Sequence, residues 1–446
     1  MRTSIIDKKI IKKILILAFW LLVWSLGALV VSNNIVLVGP WKVIKAFVDN
    51  IFSEGYLQTV LASSAKIGAG LLSGLVAGIV LSALAFKIKL VKEVLSPFVS
   101  VLRSIPAVSF VVLLLIWFGS GKLSFFISML IVFPNIYVNA LSSFESADKH
   151  IEKAAEVFSL SGWKKALYVY RPSLSGSFMG SVKVAVGLSW KSGVAAEVIG
   201  LSDGSVGEKI YMSKIGLDTA GLFAWTLTVI LLSFIFEKIT VFIVKKLIFM
   251  DIVPSKGNND KKAVAAPVDM DDINVSFGSK KVLDNESIHV PSKGRLVIMG
   301  ESGIGKTTLL NDVLEKYKGK VSAVFQEDAL LEDYSALTNI MISASGITSK
   351  ECTEICRELL DEDDLKKKVS ALSGGMKRRV SILRALMCDR SIYIMDEPFT
   401  GLDEELKKKT IRFVDEMLKE KTLIMASHIR TDAESLNAGV KEIKKN

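Results

Sequence analysis

Nine consecutive residues, Gly300-Glu301-Ser302-Gly303-Ile304-Gly305-Lys306-Thr307-Thr308, fit the pattern G-x-x-x-x-G-K-[ST]. The apolar run 295–299 before them reads as a buried strand, and Leu309 and Leu310 after them open a helical pattern. A loop between strand and helix is the setting this pattern requires. Its glycines let consecutive backbone N–H groups turn toward one point, where the helix start adds partial positive charge. That point suits a phosphate. Lys306 would reach the outer phosphates of a nucleotide, and the Thr307 hydroxyl would be a ligand of Mg²⁺.

Two more apolar runs, 391–395 and 422–426, end in polar groups: Asp396, Glu397 and Pro398 after the first, His428 after the second. Nucleotide sites in parallel sheets lie at the C-terminal edge of the strands. Asp396 is placed to hold the hydration shell of Mg²⁺, and Glu397 to orient or deprotonate an attacking water. Phosphoryl transfer rests mostly on positioning and charge stabilisation. Removing such a base should cost roughly 10²–10⁴ in rate.

Between these runs stands Leu372-Ser373-Gly374-Gly375-Met376, followed by Lys377-Arg378-Arg379. It resembles the signature motif of ATP-binding cassette (ABC) proteins. Gln326, in Val324-Phe325-Gln326-Glu327-Asp328, is similar to the family's Q-loop, and Gly401-Leu402-Asp403 to its D-loop. His428 resembles the switch histidine, and Phe277 sits where the adenine-stacking aromatic belongs. The resemblance implies an ATP hydrolase using ATP and Mg²⁺. Residues 300–308 and Phe277 would bind ATP, Thr307, Gln326 and Asp396 would hold the metal, and Glu397, His428 and Gln326 would serve hydrolysis. It also implies that Leu372, Ser373, Gly374, Gly375 and Met376 act on ATP held by a second cassette, with Asp403 in the D-loop. One chain carries one phosphate loop and one signature, so a homodimer is expected. Two features depart from the family. Gln326 lies only 20 positions after Lys306, and 18 residues follow His428, where longer stretches are usual. A trimmed antiparallel subdomain is therefore expected. The family's residue at Phe277 is commonly Tyr.

These groups need a parallel sheet covered by helices, and the alternation of strand and helix patterns beyond residue 268 supplies one. The rest of the 446-residue chain is different: mean hydropathy is +0.42 and half the residues are hydrophobic, concentrated before residue 250. Six spans are expected, at 14–31, 67–86, 96–118, 123–144, 176–201 and 220–236, with an interfacial helix over 41–56. The run 14–31 exceeds a signal peptide's apolar region and lacks a small-residue cleavage site. Lysines and arginines gather on one face: the N-terminal cluster, Lys87, Lys89 and Lys92, Lys149 to Arg171, and Lys245 and Lys246. By the positive-inside rule that face is cytoplasmic, together with the N-terminus and the C-terminal half. These flanking charges account for the net +10 without nucleic acid. Residues 251–267, rich in Gly, Pro and Asn, read as a linker. The expected division is a permease domain over 1–250, the linker, and an ATPase domain over 268–446. The three cysteines, 352, 356 and 388, form no disulfide framework. Cys352 and Cys356 read as helix packing rather than metal ligands.

The cytoplasmic stretch Glu152-Lys-Ala-Ala155, Trp163, Pro172 resembles the coupling helix of ABC importer permeases, with Ala154, Ala155 and Trp163 as its marks and Lys153 and Ser159 in place of the family's Glu and Gly. Arg103-Ser-Ile-Pro106, residues 117–122 and residues 188–197 resemble the permeases of nitrate, sulfonate and taurine importers. The expected architecture is thus an all-α membrane domain of six helices, of the type I importer kind, fused to an α/β P-loop ATPase. Lys183, Lys191 and Glu197 fall in or near the fifth span, where charge costs at least ~2.5–3.5 kcal/mol unless it meets a cavity, a partner or the interface. Lys191, and Lys183 with it, could line a pathway for an anionic solute. Equally, Lys183 could snorkel and Lys191 could satisfy Glu197. The expected function is ATP-driven import of a small solute, an anion of the nitrate, sulfonate or taurine kind or a vitamin precursor, across the cytoplasmic membrane, with a second copy of the chain, the lipid bilayer and an extracytoplasmic solute-binding protein as partners. An exporter half-transporter and an ATP-driven sensor complex that moves nothing are the alternatives.

Overall fold

The structure is a computed structural model that describes residues 2–258, 262–277, 280–301 and 303–443, with side chains described from residue 10 and not at 276, 277 or 280–282. Contacts divide it into two units: Met1–Ser146 with Leu174–Leu247, and Ala147–Ser173 with Ile248–Asn446.

The first unit is helical. α1 (Arg2–Val31), α2 (Pro40–Ile51), α3 (Tyr56–Lys87), α4 (Lys89–Ser104), α5 (Ala107–Phe118) and α6 (Leu123–Glu145) follow in order. The chain then contributes α7 (Lys149–Val157), α8 (Gly162–Lys164) and α9 (Arg171–Ser173) to the other unit. It returns with α10 (Ser177–Gly200), α11 (Val206–Ile215) and α12 (Thr219–Ile248). α6 lies at the centre, between α3 and α10. Glycines make the first contact close. A Cβ on Gly70 would stand 2.3 Å from the Phe125 carbonyl oxygen, and one on Gly78 2.7 Å from Ile136. Such stripes of small residues let helices approach in lipid, where packing rather than hydrophobic burial drives association.

Among the described residues four helical stretches are long and apolar enough to cross a membrane, Ile10–Val31, Tyr56–Lys87, Ser120–Glu145 and Thr219–Ile248, or five if the bent pair α4–α5 is one span. The expected third span is not a continuous helix. It breaks by 103° at Ile105-Pro106, where proline lacks a donor and forces the residue before it out of the helix region. The expected fifth span forms as α10, 24 residues long, but is not among the spans chosen by length and composition. It carries Lys183, Lys191 and Glu197 within a Gly- and Ser-containing sequence. α2 matches the expected interfacial helix in place.

The second unit is built on a five-stranded sheet, β4–β5–β6–β3–β7, every pairing parallel. Its strands are β3 (Arg295–Met299), β4 (Val321–Val324), β5 (Ile392–Asp396), β6 (Thr422–Ala426) and β7 (Gly439–Glu442). An antiparallel pair, β1 (Val268–Phe277) and β2 (Lys280–Val290), precedes them. The remaining helices are α13 (Lys306–Lys316), α14 (Ala336–Met341), α15 (Ser349–Cys356), α16 (Glu362–Lys366), α17 (Gly374–Met387), α18 (Glu404–Met417) and α19 (Arg430–Ser435). β4, β5 and β6 are buried along their whole length, which is why they read as unbroken apolar runs. One core face is filled by α14, α15, α17 and α18; β1 and β2 close the other over α13. Cys352 and Cys356 are both fully buried in the first of these cores, 3.8 Å apart at sulfur. Among the described residues no group of His, Cys, Asp and Glu is arranged to hold a metal by itself.

The division differs from the sequence expectation at residues 147–173, which belong to the second unit rather than to that of the helices that flank them. The stretch 251–267 is also more than a spacer. Gly257 N donates to Ile347 O at 2.8 Å, Asn258 N to Ala344 O at 2.7 Å, and Gly346 N to Asn258 O at 2.8 Å. Asp251 caps the start of α14 by accepting from Ser335 N and from the Thr338 hydroxyl at 2.6 Å.

Candidate functional site

The parallel order brings four strand ends side by side. The loop 300–305 leaves β3, Asp396 and Glu397 end β5, His428 follows β6, and Gln326 follows β4. Gly300, Gly303 and Gly305 have φ of +153°, +79° and +112°, conformations open to glycine and strained for other residues. Ser302 lies outside the described residues, and so does the side chain of Phe277, whose backbone ends β1.

Lys306, 7% exposed, turns back over the loop and donates to Gly300 O at 2.7 Å and Glu301 O at 3.0 Å. An ammonium held there stands at the N-terminus of α13, beside the helix-end N–H groups that favour an anion. The Thr307 hydroxyl donates to Asp396 Oδ2 at 2.7 Å. Burial pushes the Asp396 carboxyl above its ordinary range. A hydroxyl and a buried carboxylate in contact are hard oxygen donors, the type Mg²⁺ selects. Bound Mg²⁺ would neutralise charge on phosphate oxygens, and it would favour the ionised form of Asp396.

Glu397 has φ +48°, and its Oε1 is 3.6 Å from His428 Nδ1. A side-chain-bearing residue in this left-handed region costs on the order of 1–3 kcal/mol and persists only where its surroundings hold it. Gln326 lines a cavity of about 200 Å³ with Thr307, Asp396, Asn311, His150 and Lys153. Asp403 caps α18, accepting from Leu406 N at 2.9 Å. Ser373 caps α17, accepting from Met376 N at 3.4 Å, and with Gly374 it is exposed to solvent.

Sequence reasoning passed over two arginines of α17. Arg378 donates to the carbonyls of Asp396, Glu397, Pro398, Phe325 and Gln326, and to Asp328 Oδ1 at 2.8 Å. Arg384 donates to Asp328 O at 2.7 Å and Ala329 O at 2.6 Å, with its guanidinium 4.9 Å from the centre of the Phe158 ring. Burial lowers its pKa to about 10, which leaves it charged at neutral pH. Carbonyl acceptors have no sequence signature; a buried Arg in an otherwise apolar helix pattern was the available signal.

Phe158 belongs to the segment 147–173. Ala154 and Ala155, both 3% exposed, and Phe158 pack with Leu331, Tyr334, Ile342 and Cys388. Lys153 Nζ donates to Asn311 Oδ1 at 2.7 Å, and Lys318 Nζ to Glu156 Oε2 at 2.9 Å, so both bonds reach α13 or the turn after it. Tyr168 OH donates to Ile252 O, and Lys164 Nζ to Asn258 Oδ1, both at 2.7 Å. The segment therefore bonds to the linker as well as to the cassette. Trp163 is 75% exposed and is not one of its buried contacts.

In the first unit, Lys183 and Lys191 lie on an exposed side of α10, while Glu197 is fully buried. Glu197 Oε2 accepts from the Ser63 hydroxyl at 2.8 Å and from Gly207 N at 3.2 Å. Neither lysine is its hydrogen-bond partner; the three charges do not form one cluster.

A family model described as ABC transporter matches residues 283–400, and one described as binding-protein-dependent transport system inner membrane component matches residues 70–249. A Nod factor export ATP-binding protein I of Paraburkholderia xenovorans is 31% identical over 199 residues, covering 38% of this chain and 66% of that protein. An Fe(3+) ions import ATP-binding protein FbpC of Yersinia pestis is 31% identical over 192 residues, covering 36% of this chain and 55% of that protein. A solved dimeric ATP-binding cassette in a post-hydrolysis state with ADP and Pi is 23% identical, covers 41% of this chain and 93% of that chain, and superposes with a TM-score of 0.34. The chain thus spans 66% of the length of the first of these curated relatives and 55% of the second.

Proposed function

Because the chain joins a permease domain of the binding-protein-dependent inner membrane family to an ABC transporter ATPase domain, we propose that it is a fused half-transporter that imports a small solute at the expense of ATP. The observation that carries this reading is the seat of 147–173 beside Gln326, in a chain whose membrane half matches the binding-protein-dependent permeases. The relatives' printed names cover both export and import, and both concern cassettes. The match of the membrane half to binding-protein-dependent permeases supports import.

In this reading Lys306 and the N–H groups of 300–308 hold the phosphates, Thr307, Asp396 and Gln326 surround Mg²⁺, and Glu397 with His428 prepares the water. Phe277 stacks on adenine. Ser373 and Gly375 of a second copy, in the signature 372–376, close the site from the other side, with Asp403 beside them. Two copies then form two sites, and their closing moves α7 with the cassette. The N-terminus and cassette are cytoplasmic, the spans cross the cytoplasmic membrane, and a solute-binding protein delivers the solute outside. Lys191 and Lys183, on the exposed side of α10, favour an anion of the nitrate, sulfonate or taurine kind.

Complementation tests the shared site. Chains carrying Lys306→Ala or Ser373→Arg should each be inactive alone. Mixed in one membrane they should recover ATP turnover, because the heterodimer retains one intact pair of phosphate loop and signature. A single chain carrying both changes should not rescue the wild type's partner site. Full turnover by a monomer, or failure of the two variants to complement, would refute the reading. Uptake of taurine or nitrate into ATP-loaded proteoliposomes, with expulsion as the opposite outcome, separates import from export.

A further inference from the structure

We infer that Arg378 is a positioning residue for ATP hydrolysis: it fixes the backbone of Glu397 and ties it to the helix that begins at the signature. The inference rests on the ATPase reading above and deepens it.

Glu397 at φ +48° occupies a conformation that a residue with a Cβ avoids, so its neighbours must impose it. Glu397 N donates to Ala426 O at 3.0 Å and Thr400 N to Glu397 O at 3.3 Å, and one guanidinium adds to these restraints. Arg378 Nη2 donates to Asp396 O and to Glu397 O, both at 2.7 Å, and Nε donates to Pro398 O at 3.0 Å. Three consecutive carbonyls around the strained residue are thereby held by a single rigid plane. Nη1 turns the other way, to Phe325 O at 2.7 Å, Gln326 O at 3.3 Å and the Asp328 carboxylate at 2.8 Å. The same side chain therefore sets the distance between the Gln326 peptide and Glu397.

The chemistry requires arginine. Its five donors lie in a fixed fork, whereas a lysine ammonium is a compact point with three donors and cannot span carbonyls on two strands at once. Arg378 is 6% exposed. Burying a charge is costly unless it is paired, and Asp328 pairs with this one; the other donors of the fork all go to backbone carbonyls. A charged fork kept at this depth is better explained by the carbonyls it arranges than by stability alone.

Its place on α17 gives the arrangement a direction. Arg378 lies five residues after Ser373, within the first two turns of the helix that Ser373 caps. A shift of α17 when Ser373 meets nucleotide moves the carbonyls of 396–398 and the Gln326 peptide together. Lys306 and Thr307 bond instead to Gly300, Glu301 and the Asp396 carboxylate. Arg378 should thus govern turnover while leaving ATP binding intact.

The test uses the full chain in lipid nanodiscs with Mg-ATP, comparing Arg378→Lys and Arg378→Met with the wild type. Turnover is expressed per ATP-binding molecule, so that misfolded protein does not count. We expect kcat to fall at least about tenfold in Arg378→Lys and about 100-fold in Arg378→Met, with KM for ATP within about threefold. If Arg378→Met does not fold, Arg378→Lys decides. Unchanged turnover per binding-competent molecule, or a rise in KM without a fall in kcat, would overturn the inference and leave the ATPase reading standing. A wild-type chain that binds ATP without hydrolysing it would overturn both.

Discussion

Phe158→Ala is the sharpest probe of how the segment 147–173 is held. Phe158 is 2% exposed, packs between Leu331, Tyr334 and the segment's own Ala154 and Ala155, and places its ring under the Arg384 guanidinium. Truncating a buried Phe costs about 3–5 kcal/mol, and the cation–π contact falls within that figure. At 1.4 kcal/mol per factor of ten, the detached population of the segment should grow about 10²- to 4 × 10³-fold. The polar contacts that remain at α7 are bonds from partly exposed lysines, Lys153 to Asn311 and Lys318 to Glu156, while Lys164, Tyr168 and Arg171 hold the far end of the segment to Asn258, Ile252 and Tyr334. Exposed pairs of this kind contribute about 1 kcal/mol or less and cannot make up the loss. Hydrogen exchange of peptides covering 150–160, in the full chain in nanodiscs, should show protection falling by that factor. Basal ATP turnover should stay within about threefold, since Phe158 touches none of the residues around Lys306. Unchanged protection at 150–160, with the variant folded, would mean that the segment is not anchored by this side chain and that the docking argument is wrong.

Lys407 and Asp432 form a buried pair at 2.7 Å, and Asp432 accepts from the Ser427 hydroxyl at 2.8 Å, next to His428. Lys407→Met should cost about 3–5 kcal/mol by stranding Asp432, and the double change to Met and Asn should restore most of it; circular dichroism melting of the two variants checks the difference. Gly257→Val should unseat the linker, because a Cβ there would lie 2.5 Å from Ala344 O. The expected result is faster proteolysis within 250–266, with ATP binding retained.

Features written in consecutive residues were legible in the sequence, and features written in space were not. The loop 300–308 fits a pattern of fixed spacing, the pair Asp396-Glu397 follows an apolar run, and 372–376 resembles the ABC signature motif, so each was legible within a few consecutive residues. β4, β5 and β6 were legible because burial on both faces leaves only apolar residues. β7 was not, since it is an edge strand with mostly exposed side chains and no apolar run. β1 and β2 were hidden by Asp269, Asp271 and Asp272, which face outward from a pair with irregular register. The 96–118 span read as one helix because hydropathy is blind to the turn that Pro106 imposes. The partner of Glu197 was not legible, because sequence cannot show that Ser63, 134 positions earlier, meets it.

The two arginines of α17 and the linker together suggest why fusion suits this chain. A loose tether would only raise the local concentration of cassette around its coupling segment, an effect that weakens as the linker lengthens. Here Asp251, Ile252, Gly257 and Asn258 are bonded to α14, to the loop before α15 and to Tyr168 and Lys164 of the segment itself. The linker thus forms part of the surface on which the segment sits, and much of its conformational freedom is spent in folding rather than at docking. Arg384 then connects that surface to the peptide after Gln326, and Arg378 connects the same helix to Glu397. A displacement of α17 therefore has two fixed outputs, one toward the Glu397 peptide and one toward Phe158. Separate chains would have to re-form the linker's share of this surface at every encounter; a fused chain folds with it in place.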